Sequence, residues 1–223
     1  MAGTLYVVAT PIGNLEDVSA RALRILREVD RVAAEDTRRT AQLLRHFGIS
    51  TPLTSYYDAV EARKAPALVE ELLSGKNLAL VSDAGTPLLS DPGYRLVRAA
   101  VDAGIDVVPI PGPSAITAIL SVSGLAVDRF VFEGFLPARP GRRRRRLESL
   151  RDDTRTVVLF ESPHHVERTL GEIEEILGDR DVVVGRELTK TFEEIVRGKV
   201  SDVRRQVAEK GPRGEYTIAI AGK

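Results

Sequence analysis

The stretch Leu78 to Gly93 carries the densest chemistry in the chain: four apolar residues, then Ser82-Asp83-Ala84-Gly85-Thr86-Pro87, then Asp91-Pro92-Gly93. A carboxylate and a glycine directly after a buried strand suit a ligand. Asp83 offers an acceptor for an ammonium or a ribose hydroxyl, and Gly85 permits close backbone approach. The plainer role for Asp83 is a turn-closing bond to nearby backbone. Three further turns tilt the balance toward ligand contact, because Pro11-Ile12-Gly13, Pro111-Gly112-Pro113 and Ser162-Pro163 each follow an apolar run. In a parallel sheet such turns gather at the carboxyl edge, where open α/β sheets bind ligands.

What the turns lack narrows the ligand. Neither Gly-x-Gly-x-x-Gly nor Gly-x-x-x-x-Gly-Lys-Ser/Thr occurs, which argues against a nucleotide gripped by its phosphates. An adenosine-bearing ligand without phosphate fits better, and S-adenosylmethionine is the candidate. Transfer of its methyl group would ask for groups that orient an acceptor or take a proton from it. Asp36, Glu187 and Lys190 are the candidates, each equally suited to a structural ion pair. Lys190 would need a depressed pKa to act as a base. The chain has no cysteine, and His46, His164 and His165 contain no i, i+4 pair, so no metal is expected.

A second chemistry sits at Arg139, Arg142, Arg143, Arg144, Arg145 and Arg146, six arginines within eight residues. A solvated helix face is the bland reading. Such a run repels itself unless a polyanion is near, which favours phosphate contact that positions rather than reads sequence. Arg38 is a further RNA-binding candidate. Tyr56-Tyr57 has the chemistry for base stacking, with core packing as the default.

The elements that must position these residues follow from periodicity. Strands are expected at Leu5–Thr10, Val32–Ala34, Thr51–Tyr57, Leu78–Val81, Ile105–Ile110, Phe130–Gly134, Thr156–Glu161, Val182–Gly185 and Glu215–Ala221, the last perhaps antiparallel to its neighbours. Between them lie helices: one capped by Asp17 or Ser19, one ending at Gly48, and one over about Ala65–Leu73 with Pro66 in its first turn. Another runs from Pro92 to Ala103 and is capped by Asp91. Ser114 caps a further helix, and Ser162-Pro163 starts one in cap-then-proline order. The alternation predicts an α/β fold of two domains with mixed, mostly parallel sheets. Pro111–Pro113 is the candidate boundary, giving domains 1–112 and 113–223.

At 223 residues, with 43% hydrophobic and 29% charged residues, the composition is that of a globular protein. The formal net charge of zero argues against a surface that is basic throughout. No apolar run approaches the roughly 18 residues of a membrane span. The first ten residues lack the pattern of a secretory signal, so a cytoplasmic location without membrane contact is expected.

Seven motifs appear in order: Ala9-Thr10-Pro11-Ile12-Gly13-Asn14-Leu15, Ala34-Glu35-Asp36-Thr37-Arg38, Val81-Ser82-Asp83-Ala84-Gly85-Thr86-Pro87, Asp91-Pro92-Gly93, Pro111-Gly112-Pro113-Ser114, Glu133-Gly134-Phe135-Leu136-Pro137 and Arg186-Glu187-Leu188-Thr189-Lys190. Each is weak alone. Together, over nearly the whole chain, they closely resemble the 2′-O-ribose methyltransferases of small-subunit ribosomal RNA within the tetrapyrrole-methylase-like group. The resemblance implies two α/β domains with S-adenosylmethionine in a cleft between them, and a homodimer. It implies as substrate a cytidine ribose of the 16S RNA, free or in the assembled small subunit. By analogy the cofactor contacts Ile12, Asp83, Thr86, Ser114, Ala115 and Phe160, with Gly85 beside them. Tetrapyrrole-methylating relatives carry a Gly-x-Gly-Pro-Gly-like first loop, and Pro11-Ile12-Gly13-Asn14 departs from it toward the RNA branch. Relatives also commonly continue with a small helical segment, whereas this sequence ends at Lys223, so weaker RNA binding than in a longer relative is expected. The alternatives are methylation of a tetrapyrrole or another small acceptor on the same fold, and a non-catalytic RNA- or ribosome-binding module.

Overall fold

Short runs of Val, Leu and Ala form the central strands of the first sheet, and helices bury both of its faces. The computed structural model describes residues 1–223, and the chain divides into two compact units, Met1–Ser114 and Ala115–Lys223. In the first, strands β1 (Thr4–Val8), β2 (Arg31–Ala34), β3 (Leu53–Ser55), β4 (Leu78–Val81) and β5 (Asp106–Ile110) form an all-parallel sheet in the order β3-β2-β4-β1-β5. Helices α1 (Ala20–Glu28) and α2 (Thr37–His46) pack on one face, α3 (Asp58–Leu73) and α4 (Tyr94–Asp102) on the other. Within β4, Ala79 and Val81 enter the first of these cores and Leu78 and Leu80 the second. The two-residue period of a strand thus explains why its sequence is apolar throughout.

The second unit opens with α5 (Ala115–Ser123). Its sheet contains β6 (Phe130–Phe135), β7 (Thr156–Glu161), β8 (Asp181–Arg186), β9 (Glu194–Lys199) and β10 (Tyr216–Ile220), in the order β6-β7-β10-β8-β9. Only β6 and β7 pair in parallel; β10 runs antiparallel to both β7 and β8, and β9 antiparallel to β8. The mostly parallel expectation therefore describes the first sheet fully, while the second is the mixed one. Helices α6 (Pro140–Ser149), α7 (Val166–Leu177) and α8 (Val200–Lys210) share one apolar core with β7, β8 and β10.

Several local expectations need correction. Ser19, not Asp17, caps α1, accepting the Ala22 N–H at 3.0 Å. Helix α3 begins at Asp58 and contains Pro66 in its interior. Proline is tolerated there because Ala62, whose carbonyl loses its partner, and Pro66 both lie on the exposed side. The N-cap of α4 is Gly93, so Asp91 is not a cap. Ser162-Pro163 forms a turn ahead of α7, whose N-cap is His165. Strand β9 and helix α8 were not expected from the sequence at all.

Candidate functional site

The parallel first sheet sends the chain leaving β1, β2, β4 and β5 out at one carboxyl edge. Thr10 and Gly85 exchange backbone hydrogen bonds of 2.9 and 3.0 Å, and the Thr10 hydroxyl donates to the Ser82 carbonyl at 3.2 Å. Thr86 Oγ1 donates to the Pro113 carbonyl at 3.3 Å. Gly85 has φ +83°, and a Cβ there would lie 3.3 Å from Ile12 Cγ2. Ile12, Gly85, Thr86 and the loop reaching Ser114 are therefore gathered by short contacts. Ala115 and Phe160 lie in the second unit, where Phe160 packs edge-on against Phe132 with ring centroids 4.9 Å apart.

Asp83 ties the ends of β2 and β4 together. Its Oδ1 accepts the Asp36 N–H at 2.9 Å, its own N–H donates to Glu35 Oε2 at 3.3 Å, and Arg39 Nη1 lies 3.4 Å from its Oδ2. Beside it, a cavity of about 330 Å³ opens against Thr10, Pro11, Gly13, Thr40 and Ser82, within the size range of small-molecule sites. Burial raises the Glu35 pKa, opposed by the Asp83 N–H and reinforced by the carboxylates of Asp83 and Asp58. Burial likewise pushes Asp91 up to about 6, against a hydrogen bond with Ser82 and with help from Glu35, Asp83 and Asp58. Glu35, Asp36, Asp83 and Asp91 give this edge four carboxylates, with Arg38 and Arg39 paired to Asp36 and Asp83 and Lys64 bound to the Ser55 carbonyl at the end of β3. The carboxylates outnumber the neighbouring arginines, and such a set suits a ligand bearing an ammonium and a sulfonium. These residues fit S-adenosylmethionine. Glu35 and Asp91 border this edge with raised pKa values, a signal that burial creates and the sequence does not display.

The three candidate acid–base residues are engaged elsewhere. Asp36 caps α2, accepting the Arg38 N–H at 2.8 Å while its Oδ2 holds Arg38 Nη2 at 2.7 Å. Arg38 thereby lowers the Asp36 pKa to about 2, too weak a base for a hydroxyl proton. Lys190 Nζ lies 2.9 Å from Glu187 Oε1 and 2.8 Å from Glu215 Oε2. Burial works against its charge, but these carboxylates outweigh burial and hold its pKa above the ordinary value. For Glu187, burial works upward, yet Lys190 and the Glu215 N–H bring its pKa below the usual range. Lys190 therefore stays protonated, and Glu187 holds a proton too weakly, so neither is poised as a base in this arrangement.

The arginine run is divided by the helical period. Arg143 is buried, its side chain 5% exposed, and its guanidinium meets Glu161 Oε2 at 2.9 Å and Glu172 Oε2 at 2.6 Å and also donates to the Thr169 hydroxyl. Arg144 pairs with Glu148 and Glu175, and Arg146 with Glu133 at 2.5 Å. Arg38 is clamped on Asp36. What remains is Arg139 at the N-cap of α6 with Arg142 and Arg145 in the helix, spaced three apart, exposed and without an ion pair. Arg143 leaves the set of RNA-contact candidates because its charge is spent inside the fold.

A parallel sheet whose carboxyl-edge loops gather Asp83 and Gly85 beside a cavity of small-molecule size suits the class of S-adenosylmethionine-dependent methyltransferases. The chain belongs to the tetrapyrrole (corrin/porphyrin) methylase family, whose pattern matches residues 4–204. It is 52% identical to ribosomal RNA small subunit methyltransferase I of Xylella fastidiosa, over 99% of this chain and 82% of that protein. It is 48% identical to the protein of the same name from Thermotoga maritima, with 99% of each covered. Among solved structures, the methyltransferase CobJ superposes with a TM-score of 0.73 at 17% identity, covering 99% of this chain and 95% of that one. A diphthine synthase does so with 0.71 at 18%, covering 98% and 90%. At such identities these likenesses concern the fold alone. No helix is long and apolar enough to cross a membrane, and no group of three or more His, Cys, Asp or Glu is arranged to hold a metal.

Proposed function

We propose that this protein transfers a methyl group from S-adenosylmethionine to the 2′-hydroxyl of a cytidine in small-subunit ribosomal RNA. The relatives' names support the RNA substrate, and the carboxylate edge of the first unit supports the cofactor. The observation that carries RNA over a small acceptor is the stripe of Arg139, Arg142 and Arg145, three unpaired cations running from the N-cap into α6. A tetrapyrrole gives no reason for such a stripe, whereas phosphates along a strand do. Bound cofactor supplies the electrophilic methyl, whose activation is intrinsic to its sulfonium. The chain holds and orients. Asp83 accepts from the cofactor's ammonium or ribose hydroxyl, and Ile12, Gly85, Thr86 and Ser114 shape the surrounding cradle; Ala115 and Phe160 are cofactor contacts by the family resemblance alone. The family resemblance extends the proposal to a homodimer acting in the cytoplasm on RNA or on the assembled subunit.

The test is transfer of a labelled methyl group from S-adenosylmethionine to unmodified small subunits and to their naked RNA, with nuclease mapping of the product. Label on a cytidine ribose is the expected result. No incorporation while the cofactor is demonstrably bound overturns the substrate; absence of cofactor binding overturns the enzyme and leaves an RNA-binding module.

A further inference from the structure

The loop joining β8 to β9 is tied down by several hydrogen bonds, yet it presents a large apolar ring to solvent. Phe192 is 73% exposed, the most exposed phenylalanine in the chain. Glu187 and Thr189 both adopt positive φ, +50° and +66°, which non-glycine residues rarely do without a reason. The loop is anchored inward by Leu188, which is buried and fills the space that Gly185 leaves open, 2.8 Å from where a Cβ would stand. It is braced internally by the Thr189 N–H donating to Glu193 Oε2 at 2.6 Å.

A second loop locks it from the side. Glu187 N–H donates to the Glu215 carbonyl at 2.9 Å, and Glu187 Oε1 accepts the Glu215 N–H at 2.9 Å. Lys190 bridges the two carboxylates. Gly214, at φ +79°, has no room for a side chain, because a Cβ would come within 2.5 Å of Glu187 Cγ. Glu187 and Lys190, which the sequence offered as acid–base groups, are thus the lock between residues 187–193 and 211–215.

The topology fixes what shares that edge of the second sheet. Strands β6, β7 and β8 all point the same way, with β10 antiparallel between β7 and β8. The loops leaving β6, β7 and β8 and the loop entering β10 therefore open together. They carry Arg139, His164 and His165, Phe192 and Arg213, all exposed. Neither Arg139 nor Arg213 has an ion pair. Strand spacing sets β6 and β8 about 14 Å apart. Phe192 on β8's loop and the exposed Phe135 at the end of β6 are separate rings at an edge that carries both arginines and the carboxylates of Glu193 and Glu215. They lack the contiguous apolar core of a subunit interface. Separate rings beside cations match single-stranded nucleic acid, where bases stack on aromatic rings and cations follow the backbone.

We propose that Phe192 is a stacking platform for an unpaired base of the RNA substrate, with Glu187 and Lys190 as its positioning residues and Arg213 and Arg139 facing the flanking phosphates. This rests on the RNA-methyltransferase reading. The chain has no tryptophan, so Phe192→Trp introduces a single fluorescent reporter at the site. Titration of that variant with unmodified small-subunit RNA is expected to quench the emission, and titration with S-adenosylmethionine alone is not. Phe192→Leu, which keeps apolar bulk without a π-face on an exposed site, is expected to weaken RNA binding about tenfold and raise the KM for RNA. Phe192→Tyr should restore both. Lys190→Met should weaken binding in the same direction and broaden the reporter's mobility in anisotropy decay.

If wild-type protein binds and methylates the RNA while Phe192→Leu keeps its affinity and the reporter stays unquenched, stacking is refuted and the functional reading survives. A change in sedimentation with unaltered RNA affinity also refutes it and assigns Phe192 to a subunit contact. Failure of the wild type to bind the RNA overturns both.

Discussion

Arg142 and Arg143 are neighbours in sequence with opposite roles. A helix turns about 100° between them, so one faces solvent and the other enters a network of Glu161, Glu172 and Thr169. Removing one member of a buried ion pair leaves the other charge without compensation. Arg143→Met should therefore destabilise the fold by about 3–5 kcal/mol, while Arg142→Ala should stay within about 0.5 kcal/mol of wild type. Urea unfolding of both variants checks this, and equal midpoints would show that the network contributes nothing. The sequence displayed the arginine run plainly, but its charges could not be sorted into paired and free, because the partners lie 13 to 31 residues away. Asp36 illustrates the same limit: its neighbourhood marked it as important, whereas only geometry shows that the importance is a helix cap held by Arg38.

Elements whose identity rests on a strong local pattern were legible. The apolar run of β4 with its Asp83-Gly85 turn, the spacing of α1 and the parallel order implied by alternation all follow from period and turn chemistry. Strand β9 was not legible because an edge strand of sequence Glu-Ile-Val-Arg-Gly-Lys buries little, and α8 rests on only three buried valines, which are modest helix formers. The loop after β4 follows from its Asp-Gly-Pro chemistry, whereas the helix beyond it is capped by Gly93 and not by Asp91. Asp91 instead carries a pH dependence. Its ordinary pKa of 3.8 rises to about 6 in the fold, so between those values the folded state binds more protons than the unfolded one. This contribution makes stability fall as pH rises from about 4 to 6 and stay reduced above that. Asp91→Asn should remove that loss, stabilising the protein at pH 8 by about 1 kcal/mol, a figure reduced from the full shift because the group is partly solvated. Chemical denaturation of both proteins at pH 4 and pH 8 measures it. An equal effect at both values would contradict the assignment.

At the scale of the whole chain, a formal charge of zero conceals a division. Residues 1–114 hold 12 Lys and Arg against 14 Asp and Glu, and residues 115–223 hold 20 against 18. The imbalance is small in each unit and local in effect: the carboxylates converge on one sheet edge of the first, and the unpaired arginines line one helix of the second. Cofactor and RNA should therefore depend on separable residues. Replacing Arg139, Arg142 and Arg145 with alanine should reduce the slope of log affinity for RNA against log salt by about 2 to 3, leaving S-adenosylmethionine affinity unchanged. Asp83→Ala should weaken cofactor binding about tenfold or more, as expected for losing a charge-assisted hydrogen bond, leaving the salt slope intact. Calorimetry with the cofactor and RNA binding across a salt series read the two effects independently. If the arginine variant lost cofactor affinity as well, or the Asp83 variant lost the salt slope, the two charge patterns would be serving a common site and the division of labour would be wrong. The opposite signs of the two surfaces make separation the physical expectation, because a cationic cofactor and a polyanionic acceptor cannot be drawn by the same field.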